Sequence, residues 1–381
     1  MNERHGWVLT EQGLRWGTVR FGGTLQAVET DHTPRASLRD GPFILPGFID
    51  THVHGGGGAD TMDGADAVLQ LARHHLAHGT TTLYPTTLTA PMPDVLSALR
   101  GVQSARVDAE ATSRPHPSMP GAHLEGPFIS PDRLGAQPAH ATPATPDLIA
   151  AVLEWDVVQI VTLAPEIPGA LTAARTFAQA GVRVSIGHTT ATAEQVAALV
   201  ETVRNAGGTL GFTHLYNAMG GLTGRNPGTL GAALALKDAY AELILDGHHV
   251  HNTAFQAARN AKRDTLHLIT DAMRACGLPE GESSHLGGQP VRVKDGAAKL
   301  ENGTLAGSVL TMDQAVRNAV TAGLTIEEAA YHASVVPAAY MGLADRGRIQ
   351  PGLRADLVIM DDNLSVQEVT VAGQTATDPA A

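Results

Sequence analysis

A chain of 381 residues with a formal charge of −12 can bury a large core and is poorly suited to nucleic acid or an anionic membrane surface, because like charges repel. Its one cysteine, Cys276, excludes an intrachain disulfide, and no apolar run approaches the roughly 20 residues of a membrane helix. With no signal-type N-terminus, these features point to a reducing cytoplasm. Local positive charge could still hold an anionic small molecule.

Residues 1–45 read as short strands and turns, with Thr18–Phe21 and Leu25–Glu29 parted by Gly22 and Gly23. The other end is β-like again, over Ala355–Asp361 and Val366–Gly373, and the tail from Thr375 to Ala381 reads as frayed. One small β-sandwich domain built from residues 1–45 and 347–381 is therefore expected. Between its halves, residues 46–346 alternate. Strand-like runs fall at 44–54, 81–88, 120–126, 158–165, 182–188, 210–217, 241–248 and 266–272, with helix-like stretches between most of them. Gly64–His78 carries Ala67, Val68, Leu71, His75 and His78 on one face. Thr192–Asn205 carries Val196, Leu199, Val200 and Val203, with Thr192 and Gln195 as a capping box. Eight strands alternating with helices is the pattern of an α/β, (β/α)₈ TIM-type barrel, in which about 250 residues count as one domain. Residues 108–119 read as a polar, proline-bearing loop. Residues 129–146 read as a long irregular stretch of the kind that forms lids, and 275–305 as an inserted hairpin.

In such a barrel the active site lies at the C-terminal ends of the strands. Here six ends carry His, Glu or Asp. His52 and His54 are two apart and share one face of a strand; His123 and Glu125, His188, His214, His249 and Asp271 stand at later ends. A single strand-end histidine is more often structural. Six polar ends in one barrel point to a shared site. Glu125, His188 and His214 suit Zn²⁺ or Fe²⁺ with a position left open. His52, His54 and Asp271 could hold a second ion, with Glu125 bridging. A bound ion lowers the pKa of water toward ~7, and Asp271 is the carboxylate to move its proton. His74 and His78, at i and i+4, lack the Glu of a zinc-helix motif and read as packing or surface residues. His285 and His332 have no evident partners, and Cys276 has no nucleophile signature.

At these residues the chain resembles a known family. Pro46–His54 is similar to the first-strand signature of the amidohydrolase superfamily. His123–Phe128, Gly187–Thr189, Thr213–Met219, Gly224–Gly228, Asp246–Val250, Thr270–Ala272, Leu305–Met312 and Gly347–Val358 together resemble the N-acetylglucosamine-6-phosphate deacetylases, in order and over nearly the whole chain. The resemblance implies metal-dependent hydrolysis of the N-acetyl group of N-acetyl-D-glucosamine 6-phosphate, as in amino-sugar catabolism or cell-wall recycling. It implies Glu125, His188 and His214 as metal ligands and Asp271 as catalytic acid/base. Asn217, Ala218, Arg225 and His249 match substrate contacts, with Arg225 and His249 suited to a phosphate. Ala136 and Gln137 match a substrate loop, and Leu305, Ala306 and Gly307 a further contact segment. A homodimer with Arg225 reaching into the neighbour's site is also implied.

Retention of His52 and His54 permits two ions, Zn²⁺ or Fe²⁺. None of the four lysines lies at a strand end to act as a carboxylated bridge, which leaves Glu125 for that role. His140 or a neighbour is a candidate to assist at the oxyanion. Asp271 is followed by Ala-Met-Arg where the family often has Ala-Thr, and His248 stands where Leu is common. The rival readings are deacetylation of N-acetylgalactosamine 6-phosphate, hydrolysis of another N-acyl substrate, and a catalytically dead binding barrel.

Overall fold

In the computed structural model, which describes residues 1–34, 41–112 and 114–376, all eight expected strands form. They are β1 (Phe48–Val53), β2 (Thr80–Pro85), β3 (Ala122–Glu125), β4 (Val158–Leu163), β5 (Arg183–Ile186), β6 (Leu210–Phe212), β7 (Ala241–Ile244) and β8 (Leu266–Ile269). Parallel ladders join β1 to β2, β3 through β6, and β7 to β8. Thr86 bridges to His123 between β2 and β3. Leu215 N donates to Glu242 O at 2.8 Å between β6 and β7, and Asp271 N to His52 O at 2.9 Å between β8 and β1. The strands are apolar runs because both faces are covered; helices separate each strand from the next.

The helices bury the stripes their sequence carries. Ala193–Asn205 buries Val196, Leu199, Val200 and Val203, and Thr192 and Gln195 exchange both bonds of the capping box. Each of these side chains contributes about 1.5–3 kcal/mol when fully withdrawn from water. Ala65–Ala77 buries Val68, Leu71, Ala72, His75 and Leu76.

The two chain ends build one seven-stranded sheet. Its order is Gln374–Ala376, Val366–Val371, Leu357–Met360, Phe43–Pro46, Asn2–Thr10, Gly13–Phe21, Leu25–Pro34. Backbone bonding runs through all seven strands in this order, and its last strand bonds back toward the third, with Leu25 N donating to Leu353 O at 2.8 Å and Gly352 N to Leu25 O at 2.8 Å. Alternation gives the sheet two apolar faces. Trp7, Leu14, Phe43 and Leu45 join the core of the eight-strand array. Val8, Val19, Phe21, Leu25, Ile44 and Leu357 form a separate cluster.

Three expectations change. Helix Met92–Ala111 takes up residues 108–111, because the polar residues there are an exposed helix end, not a loop. The insertion is a three-stranded antiparallel sheet, Ser283–Leu286, Gln289–Lys294 and Ala297–Leu300. Of the tail, Thr375 and Ala376 pair with Thr370 and Val369, while 377–381 lie outside the described residues. No described helix is long and apolar enough to cross a membrane.

Candidate metal centre and active site

The C-terminal strand ends deliver six side chains to one place. His52 sits within β1 and His54 just beyond it, both buried. Glu125 is the last residue of β3. His188, His214 and Asp271 each lie two residues past β5, β6 and β8, at φ of +46°, +31° and +49°. Left-handed backbone at a non-glycine residue costs of order 1 kcal/mol or more and concentrates at functional sites. Here it bends each chain at the strand end so that the side chain points inward. Asp50 ties β1 to β8 beneath them, accepting from Thr270 Oγ1 at 2.6 Å and His52 N at 3.2 Å. Burial raises its pKa to about 7 against those donors.

Glu125 stands between two pairs of histidines. Its Oε1 lies 3.2 Å from His188 Nε2 and 3.1 Å from His214 Nε2. Its Oε2 lies 3.2 Å from His54 Nε2, and His52 Nε2 is 3.5 Å from Oε1. Asp271 Oδ1 lies 3.3 Å from His54 Nε2 and 3.5 Å from His52 Nε2. Within the pairs, the Nε2 atoms are 3.0 Å apart for His188–His214 and 3.2 Å for His52–His54. Gln137 Nε2 donates to Glu125 Oε2, and Gln137 Oε1 accepts from Thr89 N at 2.7 Å, so the irregular segment after β3 steadies the carboxylate.

The tautomers decide what such a cluster can hold. His188 Nδ1 donates to Arg133 O at 2.8 Å, His54 Nδ1 to Thr86 O at 3.3 Å, and His52 Nδ1 to Glu242 Oε2 at 3.0 Å. As a neutral imidazole, each therefore turns a bare Nε2 lone pair toward the centre. Glu125 and Asp271 add only acceptors, and their ion-pair partners among the described residues are imidazoles, with no Lys or Arg. Buried lone pairs and carboxylates facing one another are repulsive unless a cation lies between them. The residues thus fit a metal: Glu125, His188 and His214 form one grouping, and His52, His54 and Asp271 another.

A cavity of about 250 Å³ opens on this cluster. Its walls include His54, Glu125, His188, His214 and Asp271, together with the expected contacts Ala136, Gln137, Asn217, Ala218, His249, Leu305 and Gly307. Ala306 is buried behind the wall. His249 Nδ1 is 2.6 Å from Asp246 Oδ2. Burial pulls the His249 imidazolium down, yet the Asp246 carboxylate holds its pKa above the ordinary value.

Other residues land elsewhere. Arg225 is exposed in the loop before helix Gly228–Ala235 and does not line the cavity. His140 is exposed and lines a neighbouring cavity of about 400 Å³ that shares only Leu88 with this one. His74 Nε2 is 3.4 Å from the buried Cys276 thiol, and His78 Nδ1 is 3.2 Å from Asp313; neither belongs to a possible metal grouping among the described residues. His332 Nδ1 bonds Leu266 O at 2.7 Å.

Sequence reasoning missed Leu88, Leu286 and Thr304 in the cavity wall, and Glu242 beneath it. Glu242 left one signal, a carboxylate inside the apolar run Ala241–Leu245.

Residues 43–376 match the Amidohydrolase family. The chain belongs to this family. The amidohydrolase is 40% identical to N-acetylgalactosamine-6-phosphate deacetylase of Escherichia coli O157:H7, over 97% of each chain. It is also 40% identical to N-acetylglucosamine-6-phosphate deacetylase of Lysinibacillus sphaericus, over 88% of this chain and 85% of that one. Among solved structures it resembles the N-acetyl-D-glucosamine-6-phosphate deacetylase of Mycobacterium smegmatis, determined as a mutant in complex with N-acetyl-D-glucosamine-6-phosphate. That match has a TM-score of 0.86, 35% identity, and covers 97% of both chains. The amidohydrolase fold is shown by these matches.

Proposed function

We propose that this amidohydrolase removes the acetyl group of N-acetyl-D-glucosamine 6-phosphate, giving D-glucosamine 6-phosphate and acetate. The observation that carries the reading is the buried cluster of Glu125, four histidine Nε2 atoms and Asp271, opening into a cavity beside His249. The named relatives supply the substrate class. The ring of eight strands is read as a (β/α)₈ barrel over 46–346, with the terminal sheet (1–45 and 347–381) as a second, smaller unit. The buried, unpaired Cys276 is consistent with a cytoplasmic setting.

Glu125, His188 and His214 would hold one ion, and His52 and His54 a second with Glu125 between; N and O donors suit Zn²⁺ or Fe²⁺. When bound, such an ion supplies an acidified water and an electrophile for the acyl oxygen. Asp271 takes the proton from the attacking water and gives it to the nitrogen as the C–N bond breaks, because an amine departs poorly as an anion. His249, whose cationic form Asp246 favours, holds the anionic end of the sugar. Asn217, Ala218 and the 305–307 segment close around the ring.

Arg225 is exposed, with no hydrogen bond or ion pair to another described residue. It is read as serving the site of a second copy in a homodimer.

A second reading, N-acetylgalactosamine 6-phosphate as substrate, is favoured by the Escherichia coli relative. Acetate release from the two 6-phosphates and from free N-acetylglucosamine decides among them. Faster turnover of the glucosamine epimer, with little from the free sugar, supports the proposal. Turnover of the galactosamine epimer alone overturns it in favour of the second reading.

A further inference from the structure

Glu242 lies within β7, beneath the cavity, and has no part in the chemistry above. Its Oε2 is 3.0 Å from His52 Nδ1 and 3.4 Å from the backbone N of His214, and its Oε1 accepts from Thr51 Oγ1 at 3.1 Å. Thr51 Oγ1 in turn lies 3.0 Å from His267 Nε2. The proton on the Thr51 hydroxyl goes to Glu242, so His267 donates to Thr51. A carboxylate only accepts, so His52 carries a proton on Nδ1, and as a neutral imidazole it offers Nε2 as its lone pair. That Nε2 is the atom lying 3.2 Å from His54 Nε2 and 3.5 Å from Asp271 Oδ1.

We infer that Glu242 is the positioning residue that commits His52 to ligand duty, so that ion binding beside the His52–His54 pair is set from below the site. The inference rests on the metal reading above. A bare Nε2 could otherwise be lost by a change of tautomer or a turn of the ring, and Glu242 blocks both. Partners of this kind are worth 10–100-fold in metal affinity. His52, His123 and Glu242 also cluster closely enough to be considered as an ion site themselves. His123 argues against it: Nδ1 donates to Thr51 O at 3.1 Å and Nε2 accepts from Thr162 Oγ1 at 2.8 Å, so both nitrogens are spent.

The test is zinc stoichiometry and affinity by equilibrium dialysis, for wild type, Glu242→Gln, His52→Gln and the double variant. The near-isosteric Gln keeps the packing, and Glu242→Asp, which keeps the charge, is a second probe. Melting of each metal-free protein separates loss of fold from loss of ligand. The expected result is two ions in wild type and roughly 10–100-fold weaker binding of one of them in Glu242→Gln. His52→Gln should lose that same ion, with no further loss in the double variant, because the two residues act as one unit. Glu242→Asp should fall between. Two ions of unchanged affinity in Glu242→Gln, or losses that add in the double variant, would overturn the positioning role. One wild-type ion indifferent to both substitutions would overturn it as well. A wild-type protein that holds no zinc would instead overturn the metal reading, and the inference with it.

Discussion

His188 Nε2 and His214 Nε2 stand 3.0 Å apart, with Glu125 Oε1 within 3.2 Å of each. With His188 Nδ1 already donating to Arg133 O, at least one of these nitrogens is a bare lone pair, and a cation between it and the Glu125 carboxylate stabilises the trio. A ligand that binds the folded state alone stabilises it by about 2.7 kcal/mol at a hundredfold excess over Kd. Chelation should therefore lower the melting temperature, and added Zn²⁺ or Fe²⁺ should restore it. His188→Gln should melt near the chelated value and respond little to chelator. A melting temperature that ignores chelator would contradict the metal centre.

Asp271→Asn should keep its metal and lose roughly 10²–10⁴-fold in kcat, the usual worth of a general acid/base. Metal content measured beside turnover separates this from loss of a ligand. Near-normal turnover with metal retained would rule the role out.

The His249–Asp246 pair sets a pH dependence. Because Asp246 raises the His249 pKa despite burial, the imidazole is cationic below that raised value and neutral above it. KM for the 6-phosphate should therefore climb as pH rises through it, with a smaller effect on kcat. Asp246→Asn removes the raising partner, so the climb should begin at lower pH. Superimposable KM profiles for the two proteins would refute the anion role.

If Arg225 serves a neighbouring site, complementation will show it. Arg225→Ala and Asp271→Asn proteins are each impaired. When the two are co-assembled, a hybrid dimer gains one site with both residues intact, so activity should recover on mixing. No recovery, with mixed dimers shown to form, would place Arg225 in its own subunit's site or in none.

Gly126 follows Glu125 at φ +72°, and a Cβ there would come within 2.0 Å of Thr89 Oγ1. Gly126→Ala should cost at least about 1 kcal/mol, since both the backbone region and the space are wrong for a side chain. The same change should displace Glu125 and depress metal affinity. Chemical denaturation and zinc titration measure the two effects, and unchanged values of both would contradict the close approach.

Much of the fold was legible because its signals are local. The eight apolar runs, the Thr192–Gln195 box and the stripe of Val196, Leu199, Val200 and Val203 each follow from a few neighbouring residues. The candidate cluster was legible for a related reason: a polar residue at the end of an apolar strand is conspicuous. Glu242 was not, because it sits inside its strand and acquires meaning only through His52, 190 residues away. The seven-strand sheet was half visible. Alternation marks strands, but whether they bond as one sheet or two depends on pairing between Asn2–Thr10 and Phe43–Pro46, which no local pattern encodes. Arg225 and His140 were placed by motif and loop, and their distance from the cavity depends on how long surface segments pack.

The most direct measurement is acetate release from N-acetylglucosamine 6-phosphate by the purified protein, with and without chelator and with Zn²⁺ or Fe²⁺ restored. Turnover that chelator abolishes, that metal restores and that Asp271→Asn lacks is the expected result. Bound metal with no acetate release, or release indifferent to chelation and to Asp271, would contradict the proposed metal-dependent deacetylation.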